Sequence, residues 1–279
     1  MFYFLKIISH ITRFIPRKII LLFGRTLGCL AYYFFPIRRN VALINIKIAF
    51  DKETSSFHKR LLKNTYIHFG MILMDFLRTR HFKADYIKKI IKLENKTSMS
   101  LKNKTILTTG HIGSWEMILP AMSSTENNFS VVTQPQKNNG SNIFFNWVRK
   151  YTYVTQIPKG GNINKMSQVL NDNHILGLAI DQNAGKHGID VPFFNKNVSM
   201  PKGPGIFHNK TNAPILVGFC ILLNDLTYKL TIKEIKIDSK EEIIYCINKK
   251  FNQMLEKEII ANPEQYFWFH RRFPRSIYY

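Results

Sequence analysis

The chain has 279 residues, 45% of them hydrophobic and 21% charged, with 40 basic against 18 acidic residues and a formal net charge of +22. That length and balance allow one large domain or two small ones with a real core and exclude wholesale disorder, while three scattered cysteines (Cys29, Cys220, Cys246) exclude a disulfide framework or a zinc cluster and make a reducing compartment the default. The charge asks for a polyanion, whether nucleic acid, an anionic membrane surface or an acidic protein; no zinc-finger spacing or RRM-like aromatic motif accompanies it and the basic residues are spread along the chain, so nucleic acid is not expected.

Residues 1–8 are aromatic and apolar, and residues 19–35 (IILLFGRTLGCLAYYFF) form a second apolar run. That run is shorter than the ~20 residues a spanning helix needs, and Arg25 interrupts it. Arg17 and Lys18 precede it and Arg38 and Arg39 follow it, so flanking charge gives no orientation. In place of a small-residue cleavage site comes the amphipathic NVALINIKIAF. The expectation is a retained anchor over residues 1–40, interfacial or marginally inserted, followed by one catalytic domain over 41–279. A buried pair of core helices is the alternative.

Residues 54–80 have helical periodicity, with Leu61, Leu62, Tyr66, Phe69, Leu73 and Phe76 returning at three- and four-residue steps. From about residue 105, β-prone and helical runs alternate. TILTTG precedes a helix from Ser114, FSVVTQ a helix over 143–151, YVTQIP a helix over 164–171, and ILGLAID follows. APILVGFCILL and TYKLTIKEIKI then read as strands before a last helix over 240–261. The alternation predicts an α/β fold, a sheet with helices packed on it.

TILTTGHIGSWEMIL reads as strand, turn, helix, and brings His111 to the carboxyl end of a strand, where open α/β sheets usually hold their sites. Gly110 and Gly113 permit a sharp turn, Ser114 is a candidate N-cap, and Pro120 should kink or shorten the helix. On one continuous helix His111 and Glu116 would stand about 140° apart, so they meet only if the turn falls between them. A carboxylate holding one imidazole nitrogen makes the other a competent general base. GHIGS is not a G-x-S-x-G nucleophile elbow, and HIGSWE offers two potential metal ligands and no H-E-x-x-H, so neither a metal nor another cofactor is expected. Direct base-catalysed attack by a substrate hydroxyl is the natural chemistry; a satisfied structural His–Glu pair is the bland alternative.

The order GHIGSWE, NWVRKY, GLAIDQNAG, VPFFN, PKGPGIFHNKTNAPIL and NPEQYFWFHRRF resembles the bacterial lipid A biosynthesis acyltransferases, the late, secondary acyltransferases. The resemblance runs from the N-terminal apolar segment, including RRNVALINIKIAF, nearly to the end. His-x-x-x-x-Glu alone is shared by many glycerolipid acyltransferases; its co-occurrence with PEQYFWFHRRF is far more specific. The resemblance implies a glycerolipid-acyltransferase-like mixed sheet flanked by helices behind an N-terminal helical membrane anchor. It implies a place on the cytoplasmic face of a bacterial inner membrane. His111 would take the proton of an acceptor hydroxyl, Glu116 would orient His111, and the hydroxyl would attack the thioester of an acyl carrier protein. The acceptor would be a phosphorylated glycolipid, a lipid A precursor. Arg149 falls where the family has an arginine near the site and would hold the oxyanion or a sugar phosphate. Asp181, beside Gln182 at the end of GLAID, is either substrate-facing or a buried orienter, and the substrate-facing role is expected. His270, Arg271 and Arg272 would fork a lipid phosphate. One departure is Asn195, where the family commonly has Gly after the paired Phe residues of VPFF; Asn tolerates positive φ better than other residues.

The acceptor is weakly encoded, so a mannosylated phosphatidylinositol or a lysophospholipid is the alternative within the same chemistry. Outside it stands a non-catalytic protein that holds anionic membrane by charge.

Overall fold

Five α-helices precede the first strand in the computed structural model, which describes residues 1–97, 104–161, 163–237 and 242–279: α1 (Phe2–Thr12), α2 (Arg17–Phe34), α3 (Arg39–Ala49), α4 (Ser55–Arg78) and α5 (Ala84–Ile90). Thr54 caps α4 by accepting from the Phe57 N–H at 3.2 Å. Leu61, Leu62, Tyr66 and Phe76 are buried along it as the periodicity requires, while Leu73 is exposed. α2 crosses α4 on a glycine seam. A Cβ at Gly28 would stand 2.2 Å from the Tyr66 carbonyl oxygen and one at Gly70 2.2 Å from that of Gly24, so any side chain there would push the helices apart. Arg17, the first residue of α2, donates to both carboxylate oxygens of the fully buried Asp75, which also accepts from the Tyr228 hydroxyl at 2.8 Å. The boundary expected at residue 40 falls inside α3, and the Arg17–Asp75 pair and the glycine seam cross it.

Among the described residues no single helix is long and apolar enough to cross a membrane; α2 and α3 reach that composition only together, and they turn by 100° between them. Many apolar side chains of this region face outward, including Tyr3, Phe4, Ile7, Ile11 and Phe14 on α1 and its exit, and Leu22, Phe23, Leu30 and Phe34 on α2.

The sheet confirms the mixed α/β expectation. Its strands are β1 (Ile91–Asn95), β2 (Thr105–Thr109), β3 (Phe129–Thr133), β4 (Val154–Pro158), β5 (Ile175–Ala179), β8 (Ile215–Leu222) and β9 (Tyr228–Glu234), in the order β1-β9-β8-β2-β5-β3-β4. All neighbours run parallel except β8 and β9, which form an antiparallel pair. Every residue of β8 is buried, as its unbroken apolar run demands of a central strand. β6 (Ile189–Phe193) and β7 (Lys196–Met200) make a separate antiparallel hairpin. Its turn residues Phe194 and Asn195 both have positive φ, 46° and 58°, the geometry of a tight two-residue hairpin turn, which Asn195 accepts in place of glycine.

α6 (Ile118–Ser123), α7 (Asn139–Val148), α8 (Ile163–Asn171) and α9 (Gly203–Thr211) lie between strands and α10 (Ile243–Ala261) follows the last of them; the start expected for α10 at residue 240 lies outside the described residues. The helix expected from Ser114 is instead a 3₁₀ turn, Trp115–Met117, leading into α6, and the Ser114 side chain makes no capping bond. Pro120 sits in the first turn of α6, where a missing N–H costs little. α1, α5, α9, β1 and the hairpin were not separately legible in the sequence. α9 opens on Gly-Pro-Gly, a composition that reads as a loop, and is held by burial of Pro204, Phe207 and Thr211.

Candidate active site

β2 and β5 are adjacent and parallel, with Thr109 opposite Ala179 at their carboxyl ends. His111 lies two residues past the first strand and Asp181 two past the second, so the sheet sets them side by side. The Asp181 carboxylate accepts from the His111 backbone N–H at 2.8 Å and contacts the imidazole Nδ1 at 2.6 Å. An ionised carboxylate only accepts, so the proton belongs on Nδ1 and the lone pair on Nε2. Nε2 lies 3.4 Å from the Gln182 side-chain nitrogen, and the imidazole is 18% exposed while Asp181 is 3% exposed.

The turn that presents His111 is clamped by the C-terminal motif. Ile112 bridges Tyr266, the Gly113 N–H donates to the Gln265 carbonyl at 2.8 Å, and the Phe267 N–H donates to the His111 carbonyl at 2.8 Å. The Gln265 side chain in turn bonds both the N–H and the carbonyl of Leu222 at the end of β8. Gly113 has φ +61°, and a Cβ there would stand 2.0 Å from the Cys220 carbonyl oxygen, so only glycine fits. The rings of Trp115 and Phe267 lie 4.8 and 6.2 Å from the imidazole, with Phe69 against both of them. PEQYFWF thus builds one wall of the site.

Electrostatics follow from this packing. Burial pushes the His111 imidazole down, but the Asp181 charge, its hydrogen bond and the more distant Glu116 charge outweigh it, so the pKa stands above the ordinary 6.5. Burial likewise pushes Asp181 up, and the His111 contacts with the nearby Arg272 charge carry it below its ordinary value.

Glu116 is not the imidazole's partner. Its carboxylate accepts from Arg149 Nε at 2.9 Å and from Nη2 at 2.5 Å, a bidentate pair at the end of α7. The glycine turn does separate His111 from Glu116, as expected, but it aims the imidazole at β5 and the carboxylate at α7. Asp181, expected to face substrate, is buried and bonded to the His111 backbone N–H and Nδ1. Arg149 is near the site as expected, though Glu116 occupies two of its three nitrogens.

The basic C-terminal residues divide. Arg272 is 1% exposed, lies 4.8 Å over the Phe193 ring and donates to Asn252 Oδ1 at 3.1 Å, so it is an interior side chain and not the lipid-phosphate fork expected of it. Arg271 is exposed, over the Tyr279 ring. His270 is half-buried; burial, partly offset by Asp181, carries its pKa down to about 4, and its carbonyl accepts from Asn45 at 2.7 Å. Gln265, Phe267, Trp115 and Phe69 were not expected from sequence as site residues, although three of them stand inside the two motifs that carried the resemblance.

A family model described as bacterial lipid A biosynthesis acyltransferase matches residues 1–275. The lipid A biosynthesis palmitoleoyltransferase of Escherichia coli (strain K12) is 23% identical over 274 residues, 93% of this chain and 86% of that protein. The lipid A biosynthesis acyltransferase of Shigella flexneri matches with the same 23% identity and coverage. Among solved structures, the 1-acyl-sn-glycerophosphate (LPA) acyltransferase PlsC of Thermotoga maritima is similar at 13% identity and a TM-score of 0.40, over 88% of this chain and 99% of that one.

Proposed function

The chain belongs to the bacterial lipid A biosynthesis acyltransferase family, and from that premise we propose that it moves a fatty acyl group from an acyl carrier protein thioester to a hydroxyl of a phosphorylated lipid A precursor, with His111 as general base. The observation that carries the mechanism is the 2.6 Å contact between His111 Nδ1 and the buried Asp181. It leaves Nε2 as the basic atom on the open side of the ring. Nε2 takes the acceptor hydroxyl proton as the hydroxyl oxygen attacks the thioester carbonyl carbon. The tetrahedral intermediate then expels the carrier's sulfur, which takes the proton back from the imidazolium, giving ester and free thiol. Arg149 Nη1, outside the pair with Glu116, is the donor we assign to the oxyanion or a sugar phosphate. Glu116 fixes that guanidinium and lends negative charge to His111.

We place the catalytic face toward a bilayer. The outward apolar residues of α1 and α2, interleaved with Lys6, Arg13, Lys18 and Arg25, suit the interface of an anionic membrane, the cytoplasmic face of a bacterial inner membrane in this reading. In this proposal residues 1–40 attach the catalytic part, 41–279, to that surface.

The test is incubation of membranes holding the protein with a panel of acyl carrier protein thioesters and a tetra-acylated lipid A precursor, read by mass spectrometry. The palmitoleoyl donor named in the Escherichia coli relative belongs in the panel. One added acyl chain is expected, and His111→Ala should lower its rate ~10²–10⁴-fold. Near-wild-type transfer by His111→Ala would refute the mechanism.

A further inference from the structure

Away from His111, the exit of α1 and the end of α4 enclose a cavity of about 420 Å³ whose polar lining is basic: Arg13, Arg78, His81 and Lys83, with Tyr86 beside them. Arg78 is the unusual member. It is 6% exposed, and its Nη2 donates to the Ile15 carbonyl at 2.8 Å. Among the described residues its Nε and Nη1 meet no acceptor. A buried guanidinium with two open donors is costly to keep unless something negative completes it. Asp75, the acidic side chain whose charge reaches Arg78, is already engaged by Arg17 and Tyr228. No carboxylate lines the cavity, and Arg13, Arg78 and Lys83 take part in no ion pair among the described residues. His81 adds no charge near neutral pH: burial first, then the neighbouring His10, Arg13, Arg80 and Arg78, carries its pKa down to about 4.

From this arrangement we propose a phosphate-binding site in which Arg78 supplies two hydrogen bonds from the cavity wall and Arg13 and Lys83 close over the bound group from its rim. A guanidinium fork fits two phosphate oxygens at once. The surroundings favour a phosphate carried on a lipid. Phe14 and Ile15 line both this cavity and a neighbouring apolar cleft of about 600 Å³ bounded by Tyr3, Ile7 and Ile11. A headgroup in the first would leave its acyl chain lying along the second. The site needs no acyl transfer to function and stands or falls separately from the role of His111.

The experiment uses the full chain in neutral detergent. Inorganic phosphate is titrated calorimetrically against wild type and against the rim variant Arg13→Ala/Lys83→Ala, whose changed residues are exposed and leave the core intact. Co-sedimentation with phosphatidylglycerol vesicles is compared with phosphatidylcholine vesicles for both proteins. Arg78→Lys, checked for folding by circular dichroism, tests the fork. Lys196→Ala, at the start of β7, controls for bulk charge. Phosphate and phosphatidylglycerol affinities are expected to fall at least tenfold, about 1.4 kcal/mol, in the rim variant and in Arg78→Lys and to stay unchanged in Lys196→Ala. A loss confined to phosphate also supports the site and assigns it to a soluble phosphate ester; a loss confined to vesicles supports it and assigns it to a headgroup. Undiminished binding of both by the rim variant, or equal losses in Lys196→Ala, would overturn it.

Discussion

Asp181→Asn keeps the shape of the side chain and removes the charge that holds His111. The lost interaction is a 2.6 Å contact to the imidazole, and a hydrogen bond to a charged group is worth about 1.5–3 kcal/mol. At a factor of ten per ~1.4 kcal/mol, the loss corresponds to a rate reduction of roughly 10–150-fold. The amide adds a second penalty. Its NH₂ can face Nδ1, which puts the imidazole proton on Nε2, where the base is needed; in catalytic triads that error costs up to ~10⁴-fold. The pH profile gives the sign. In the proposed mechanism His111 acts as a neutral base, and Asp181 is what lifts its pKa above 6.5 against the effect of burial. In wild type the acid limb of kcat/KM should therefore lie above pH 6.5. In Asp181→Asn burial is left in control and the limb should move to lower pH, while the plateau falls. The assay is transfer from an acyl carrier protein thioester between about pH 5 and 9, with the His111 ring protons followed by NMR. A variant that keeps its plateau within threefold and its limb where wild type has it would refute the assignment of Asp181 as the orienter.

Further outcomes are expected. Glu116→Gln breaks the charge balance of the buried pair with Arg149 and should lower both transfer and thermal midpoint; because Glu116 acts through Arg149 and not through the imidazole, His111→Ala/Glu116→Gln should be slower than His111→Ala alone in the same mass-spectrometric assay. Asp75→Ala strands Arg17 and the Tyr228 hydroxyl between α2, α4 and β9 and should cost about 3–5 kcal/mol, read from urea unfolding. Phe4→Ser/Ile7→Ser/Phe34→Ser alters outward side chains only and should reduce co-sedimentation with anionic vesicles without lowering the thermal midpoint, whereas deletion of residues 1–38 removes Arg17 and the glycine seam with α4 and should destabilise the whole chain.

The sequence by itself determined the alternation of strands and helices from residue 105 onward, the long helix over 54–80 and the position of His111 at a strand end. These follow from local apolar periodicity and glycine placement, which a linear chain displays openly. It also identified the family, because GHIGSWE and PEQYFWFHRRF recur together. Tertiary structure alone decided who partners whom. Spacing along the chain pointed from His111 to Glu116, five residues on, but strand order made β5 the neighbour of β2 and delivered Asp181, 70 residues away, to the imidazole. Glu116 went to Arg149 because the 3₁₀ turn after Ser114 points it at the end of α7. The same holds for the C-terminal arginines. Charge and aromatic neighbours read as a surface clamp, yet Arg272 went inward to Asn252, buried beside Phe273, and Arg271 stayed in solvent. Sequence carries residue types and their local period; which buried charge meets which is fixed only when the strands take their order in the sheet.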